Sequence, residues 1–100
     1  MVRIIWTEPA IYELDEIADY ISLDNPTAAK HLVKLVYESI SRLEDHPFSG
    51  KTVEEIGSTV YRELVIPPCR VFYRTEKGFI IIIHVIRGER RLFLDLLVER

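Results

Sequence analysis

Arg62, Arg70, Arg74, Arg87, Arg90 and Arg91 crowd the second half of a 100-residue chain, interleaved with Tyr61, Phe72 and Tyr73. A guanidinium is a permanently charged planar fork that matches a phosphate or a carboxylate, and a neighbouring ring can stack on a base or on the guanidinium itself. Read as a strand, residues 69–75 alternate, so Arg70, Phe72 and Arg74 share one face while Val71 and Tyr73 share the other. For any one of these arginines a plain alternative exists: Arg62 can neutralise the adjacent Glu63, and Arg74 can solvate a strand end. Taken as a set, with Tyr73 among them, they point to a surface that grips a phosphate-bearing or acidic macromolecule.

Other chemistries find less support. His31, His46 and His84 fall on different expected elements, and Cys69 is the lone thiol, so no CxxC or HxxxH spacing offers a metal site. No GxSxG elbow surrounds any serine, and the four glycines are scattered at 50, 57, 78 and 88, which leaves no phosphate-cradling loop. Cys69 opens an expected strand and reads as a small buried hydrophobe. Asp15 and Asp19 stand four apart on one helix side, where a solvated face explains them better than paired acid-base catalysis. No cofactor or metal is expected, and catalysis less than binding.

The elements that must position the arginines follow from periodicity. Residues 2–6 are apolar and β-branched, an expected strand. Thr7 can cap a helix in which Glu8 and Pro9 suit the first turn and Ile11, Leu14, Ile17, Ala18 and Ile21 recur at helical spacing. Asp24, Asn25 and Pro26 break the chain and restart it as a second helix of about 20 residues, striped by Ala29, Leu32, Val33, Val36, Ile40 and Leu43. Pro47 and Gly50 end it, and residues 48–59 lose all period, an expected exposed loop. From Val60 the period becomes two. Residues 60–66, 69–75 and 79–86 read as three consecutive antiparallel strands, broken by Pro67-Pro68 and by a hairpin turn at Gly78. The last, apolar on both faces, should lie inside the sheet under the helix hairpin. Leu92, Phe93, Leu94, Leu96, Leu97 and Val98 form an apolar tail that fits a helix or a strand equally.

The expectation is one α+β domain over residues 1–100: an N-terminal strand, a two-helix hairpin, a three-stranded antiparallel sheet under the helices, and a short tail. At 48% hydrophobic the chain can build a core without disulfides. Its longest apolar run, residues 79–83, stops at His84, too short for a membrane span, and the start offers no signal-peptide pattern. A single cysteine suits a reducing compartment, so the cytoplasm is expected. The net charge of -3 hides an asymmetry: residues 1–55 carry 11 acids against 5 bases, residues 56–100 carry 8 bases against 5 acids. An anionic or acidic partner would meet the second half.

The order of these elements resembles the RelE/ParE toxin superfamily of type II toxin-antitoxin systems, and most of all its ParE, or plasmid stabilisation, branch. The resemblance runs through Trp6-Thr7 and Ala10, Asp15-Glu16-Ile17, Tyr20-Ile21, Asn25-Pro26 with Ala28-Ala29, and Leu43 with Pro47 and Gly50. It continues in Tyr61-Arg62-Glu63-Leu64, Arg70-Val71-Phe72-Tyr73-Arg74 and Val85-Ile86-Arg87-Gly88. It implies a toxin neutralised by a ParD-like antitoxin whose carboxy-terminal segment wraps it, with DNA gyrase as the target and replication as the process arrested. In the RelE branch the implied target is messenger RNA on the ribosome, cleaved with help from basic residues and, often, a late tyrosine. Here no tyrosine or histidine follows Arg87, where many ParE-like chains hold a histidine, and Glu89 stands where a base is common. Attack by an RNA 2'-hydroxyl needs a proton acceptor, a part arginine fills poorly. The expectation is therefore a gyrase inhibitor that acts by binding, with Arg62, Arg70, Arg74, Arg87, Arg90, Arg91 and Tyr73 on its target-binding surface. A RelE-type ribonuclease and an inactive binding remnant are the alternatives.

Overall fold

The computed structural model describes residues 2–53 and 58–88, excepting the side chains of residues 58 and 59. Strand β1, Arg3–Trp6, leads into α1, Glu8–Ser22, and α2, Pro26–Ser41, which ends in a 3₁₀ turn at Arg42–Glu44. Then come β2, Lys51–Val53, β3, Ser58–Ile66, β4, Cys69–Glu76, and β5, Phe79–Arg87. The tail at residues 92–98 and Arg90 and Arg91 lie outside the described residues. Among the described residues, no helix is long and apolar enough to cross a membrane.

Both helices start where side-chain chemistry allows. Thr7 Oγ1 accepts from the Ala10 amide at 3.3 Å and Asn25 Oδ1 from the Ala28 amide at 3.0 Å, with a proline in each first turn. Each cap satisfies an amide that the helix cannot pair internally. The buried stripe is Ala10, Leu14 and Ile17 on α1 and Ala29, Leu32, Val36 and Ile40 on α2; Ile11, expected inside, is exposed.

The five strands form one sheet in the order β1-β5-β4-β3-β2. β2 falls inside the segment read as an exposed loop, because three residues are too few to show a period. Lys51 and Thr52 pair with Glu63 and Arg62, and the register shifts before Val53. β5 lies inside the sheet, parallel to β1 on one side and antiparallel to β4 on the other. A strand buried on both faces needs no alternation, which is why its sequence is nearly continuous in isoleucine.

The helix hairpin covers one face of the sheet. There Leu14, Val36, Ile40 and Leu43 meet Val71, Tyr73, Ile80, Ile82 and Val85. On the other face Val53, Phe72, Ile83 and Ile86 form a second buried cluster, with Tyr61 and Ile81 at its margin. Cys69 is fully buried among the first group, a packing residue.

Candidate binding surface

The pairing register decides where each arginine goes. Glu63 lies opposite Phe72, Val65 opposite Arg70 and Tyr61 opposite Arg74, so these six share the sheet face away from the helices. Arg70 does not stand alone there. Its Nε donates to Glu63 Oε1 at 2.9 Å and a terminal nitrogen to Oε2 at 3.1 Å, a two-pronged pair. The same guanidinium carbon sits 4.8 Å from the centre of the Phe72 ring. Glu63 is 4% exposed and Arg70 17%, so the carboxylate is held in place by a cation that still reaches solvent. Arg74, on the same face, pairs with Glu76 at 2.6 Å.

Arg62 turns elsewhere. The expected Glu63 partner belongs to Arg70, and Arg62 instead donates to the carbonyls of Phe48 at 3.3 Å and Gly50 at 2.8 Å, lying 5.2 Å from the Phe48 ring centre. It ties β3 to the 47–50 segment.

Tyr73 corrects the expectation of a contact residue, because its side chain is fully buried. Its hydroxyl accepts from the Gly50 amide at 2.9 Å and donates to the Pro47 carbonyl at 3.1 Å. Burial pushes the phenol above its ordinary value of 10.0, against the Gly50 hydrogen bond and the Arg62 charge, which pull it down. A Cβ at Gly50 would overlap that hydroxyl and come within 2.8 Å of the Glu63 carbonyl, so this close approach needs glycine.

Arg87 is on the helix side, 5.3 Å from the ring centre of Tyr20 on α1. It borders a cavity of about 180 Å³ lined also by Glu13, Glu16, Ile17, Tyr20 and Val85. Beside that cavity is a pair that sequence reasoning missed. His84 Nδ1 lies 3.0 and 3.1 Å from the two Glu13 oxygens, and Glu13 Oε1 also accepts from the Val85 amide at 3.0 Å. The available signal was the position of Glu13, three residues after buried Ala10 and four before buried Ile17, at the border of the packed stripe. Asp15 and Asp19, by contrast, are exposed, as a solvated face requires.

The four described members of the expected arginine set therefore occupy three places: Arg70 and Arg74 on the far sheet face, Arg62 under the 47–50 segment, Arg87 beside α1. As chemistry, the far face offers charge, with half-buried Tyr61 beside it and Phe72 buried under Arg70. Neither buried Tyr73 nor His84, 3% exposed against Glu13, presents a proton acceptor to a ligand on that face.

A family model described as the ParE toxin of the type II toxin-antitoxin system parDE matches residues 4–92. The chain belongs to the ParE toxin family. Relatives agree. Y4kP of Sinorhizobium fredii (strain NGR234) is 39% identical over 77 residues, covering 75% of this chain and 77% of that protein. Toxin RelE2 of Caulobacter vibrioides is 28% identical over 88 residues, 87% of this chain and 92% of its own. Among solved structures, a chain of the chromosomal ParDE TA system from P. aeruginosa superimposes with a TM-score of 0.73 at 26% identity, covering 89% of this chain and 98% of that one. The resemblance drawn from the motif series is thus one of family and of fold, with five strands where three plus an N-terminal one were expected.

Proposed function

We propose that this ParE-family toxin arrests DNA replication by binding DNA gyrase, without covalent chemistry of its own, and that an antitoxin of the ParD kind neutralises it in the cytoplasm. The observation that carries the reading is the far sheet face, where Arg70 and Arg74 stand with Tyr61 and where the neighbouring carboxylates, Glu63 and Glu76, are each paired with an arginine. Such a face would hold an anionic or acidic partner by charge, the means open to a toxin that acts by binding. The antitoxin partner is supported by the matched structure, which comes from a ParDE toxin-antitoxin system. A shallow groove of about 410 Å³ between the helices, floored by Ala18, Ala29 and Val33 and rimmed by Lys30 and Lys34, is a place for an antitoxin segment that folds on binding.

The test is biochemical. Purified chain added to gyrase and supercoiled plasmid should accumulate protein-linked cleaved DNA, and stoichiometric antitoxin should abolish it. Unchanged gyrase, together with cleavage of messenger RNA on programmed ribosomes, would replace this reading with the ribonuclease one.

A further inference from the structure

β5 carries one more residue than β4 accommodates. Phe72 pairs with His84 and Tyr73 with Ile82, so Ile83 is extra and the strand bulges there. Before the bulge Ile80 and Ile82 pack under the helices and Ile83 faces away; after it Val85 packs under the helices and Ile86 faces away. Arg87 follows Val85 by two and reaches Tyr20 on α1. Without the bulge every residue from His84 onward would exchange faces, and Arg87 would join Arg70 and Arg74 on the far side.

The apolar pattern does not choose between these registers. Residues 79–83 and 85–86 are apolar throughout, so either register keeps hydrophobic groups on both faces. Polar groups make the choice. β1 ends at Trp6, opposite Ile82, so the bulged edge of β5 needs other partners. Thr7 Oγ1 donates to the carbonyls of Ile82 at 2.8 Å and Ile83 at 3.1 Å, and the Thr7 amide donates to Ile82 at 3.1 Å. Glu13 accepts from the Val85 amide and faces His84 Nδ1 with both oxygens. In the unbulged register the Glu13 contacts to His84 and Val85, which lie beyond the bulge, are lost together.

We propose that Glu13 is a positioning residue that holds the β5 bulge and thereby fixes Arg87 on the α1 side, away from the Arg70–Arg74 face. A partner that touches Arg87 then also touches Glu16 and Tyr20. The weight of Arg87 in toxicity rests on the function proposed above, whereas its placement does not, and the experiment separates the two.

The experiment is NMR on the labelled full chain, reading Tyr20 ring contacts to the Arg87 side chain, the β4–β5 cross-strand contacts and Val85 amide exchange. In the unaltered chain, Phe72 should contact His84 across the strands, and contact with Ile83 instead would overturn the proposal directly. Glu13→Ala should lose the Tyr20–Arg87 contacts, move the Phe72 partner from His84 to Ile83 and speed Val85 exchange about tenfold, the worth of one charge-assisted hydrogen bond. Glu13→Gln, whose amide oxygen still accepts from Val85, should keep the original register. Should Glu13→Ala not fold, Glu13→Leu retains the helix-facing bulk and must show the same shift. Either apolar variant that keeps the Tyr20–Arg87 contacts and the Phe72–His84 pairing overturns the proposal, whatever gyrase does.

Discussion

Two residues that look alike in the sequence, Arg70 and Arg74, differ in what they hold. Removing Arg70 strands Glu63, a carboxylate only 4% exposed. Arg70→Ala should therefore cost about 3 kcal/mol in urea denaturation, and Glu63→Gln should restore part of it. Arg74 pairs with exposed Glu76, so Arg74→Ala should cost about 0.5 kcal/mol or less. For activity the informative variant is then Arg74→Ala, or Arg70→Ala combined with Glu63→Gln, since neither leaves a stranded carboxylate. Tyr73→Phe leaves the Gly50 amide and Pro47 carbonyl without their partner and should cost about 1–3 kcal/mol. The pH dependence has a definite sign. The folded chain keeps the phenol neutral beyond the ordinary value of 10.0, so this contribution is whole below pH 10.0 and drains away as pH rises through the higher folded value. Alkaline melting of the unaltered chain should show that loss, and Tyr73→Phe should flatten it.

At the scale of elements, Thr7 does two jobs, capping α1 and closing the bulged edge of β5. Thr7→Val keeps the shape and removes both, and should lower stability by about 1–2 kcal/mol, read as a fall in melting temperature. The caps at Thr7 and Asn25, the helical stripes and the interior place of β5 were legible because each follows from a local rule: a side-chain acceptor before a proline, a 3.6 period, an apolar run on both faces. β2 was not, since Lys51–Val53 is fixed by pairing with β3 and not by its own pattern. The division of the arginines was equally hidden. Alternation correctly put Arg70 with Arg74 and Tyr73 on the opposite face, but a bulge that depends on Glu13, 71 residues from His84, moves Arg87 without leaving a local mark. Tyr73 shows the same limit in another form: alternation gave its face, and only the 47–50 segment packed over that face shows that it is sealed inside.

For the whole molecule, a sheet covered on one side by two helices leaves separate surfaces for separate partners. The far face carries Arg70, Arg74 and Tyr61, while the helix side carries the groove between α1 and α2 and the exposed Tyr12, Tyr20 and Leu23. Along the chain, charge is acidic through residue 55 and basic after it. An antitoxin segment on the helix side would bury those apolar groups and should raise the melting temperature with the logarithm of its excess over the dissociation constant. The central claim, that the chain stops replication by binding gyrase, is tested most directly by pulse labelling of DNA and protein synthesis in cells minutes after induction without antitoxin. The account predicts that DNA synthesis falls first while translation continues; an early collapse of translation with DNA synthesis intact would contradict it.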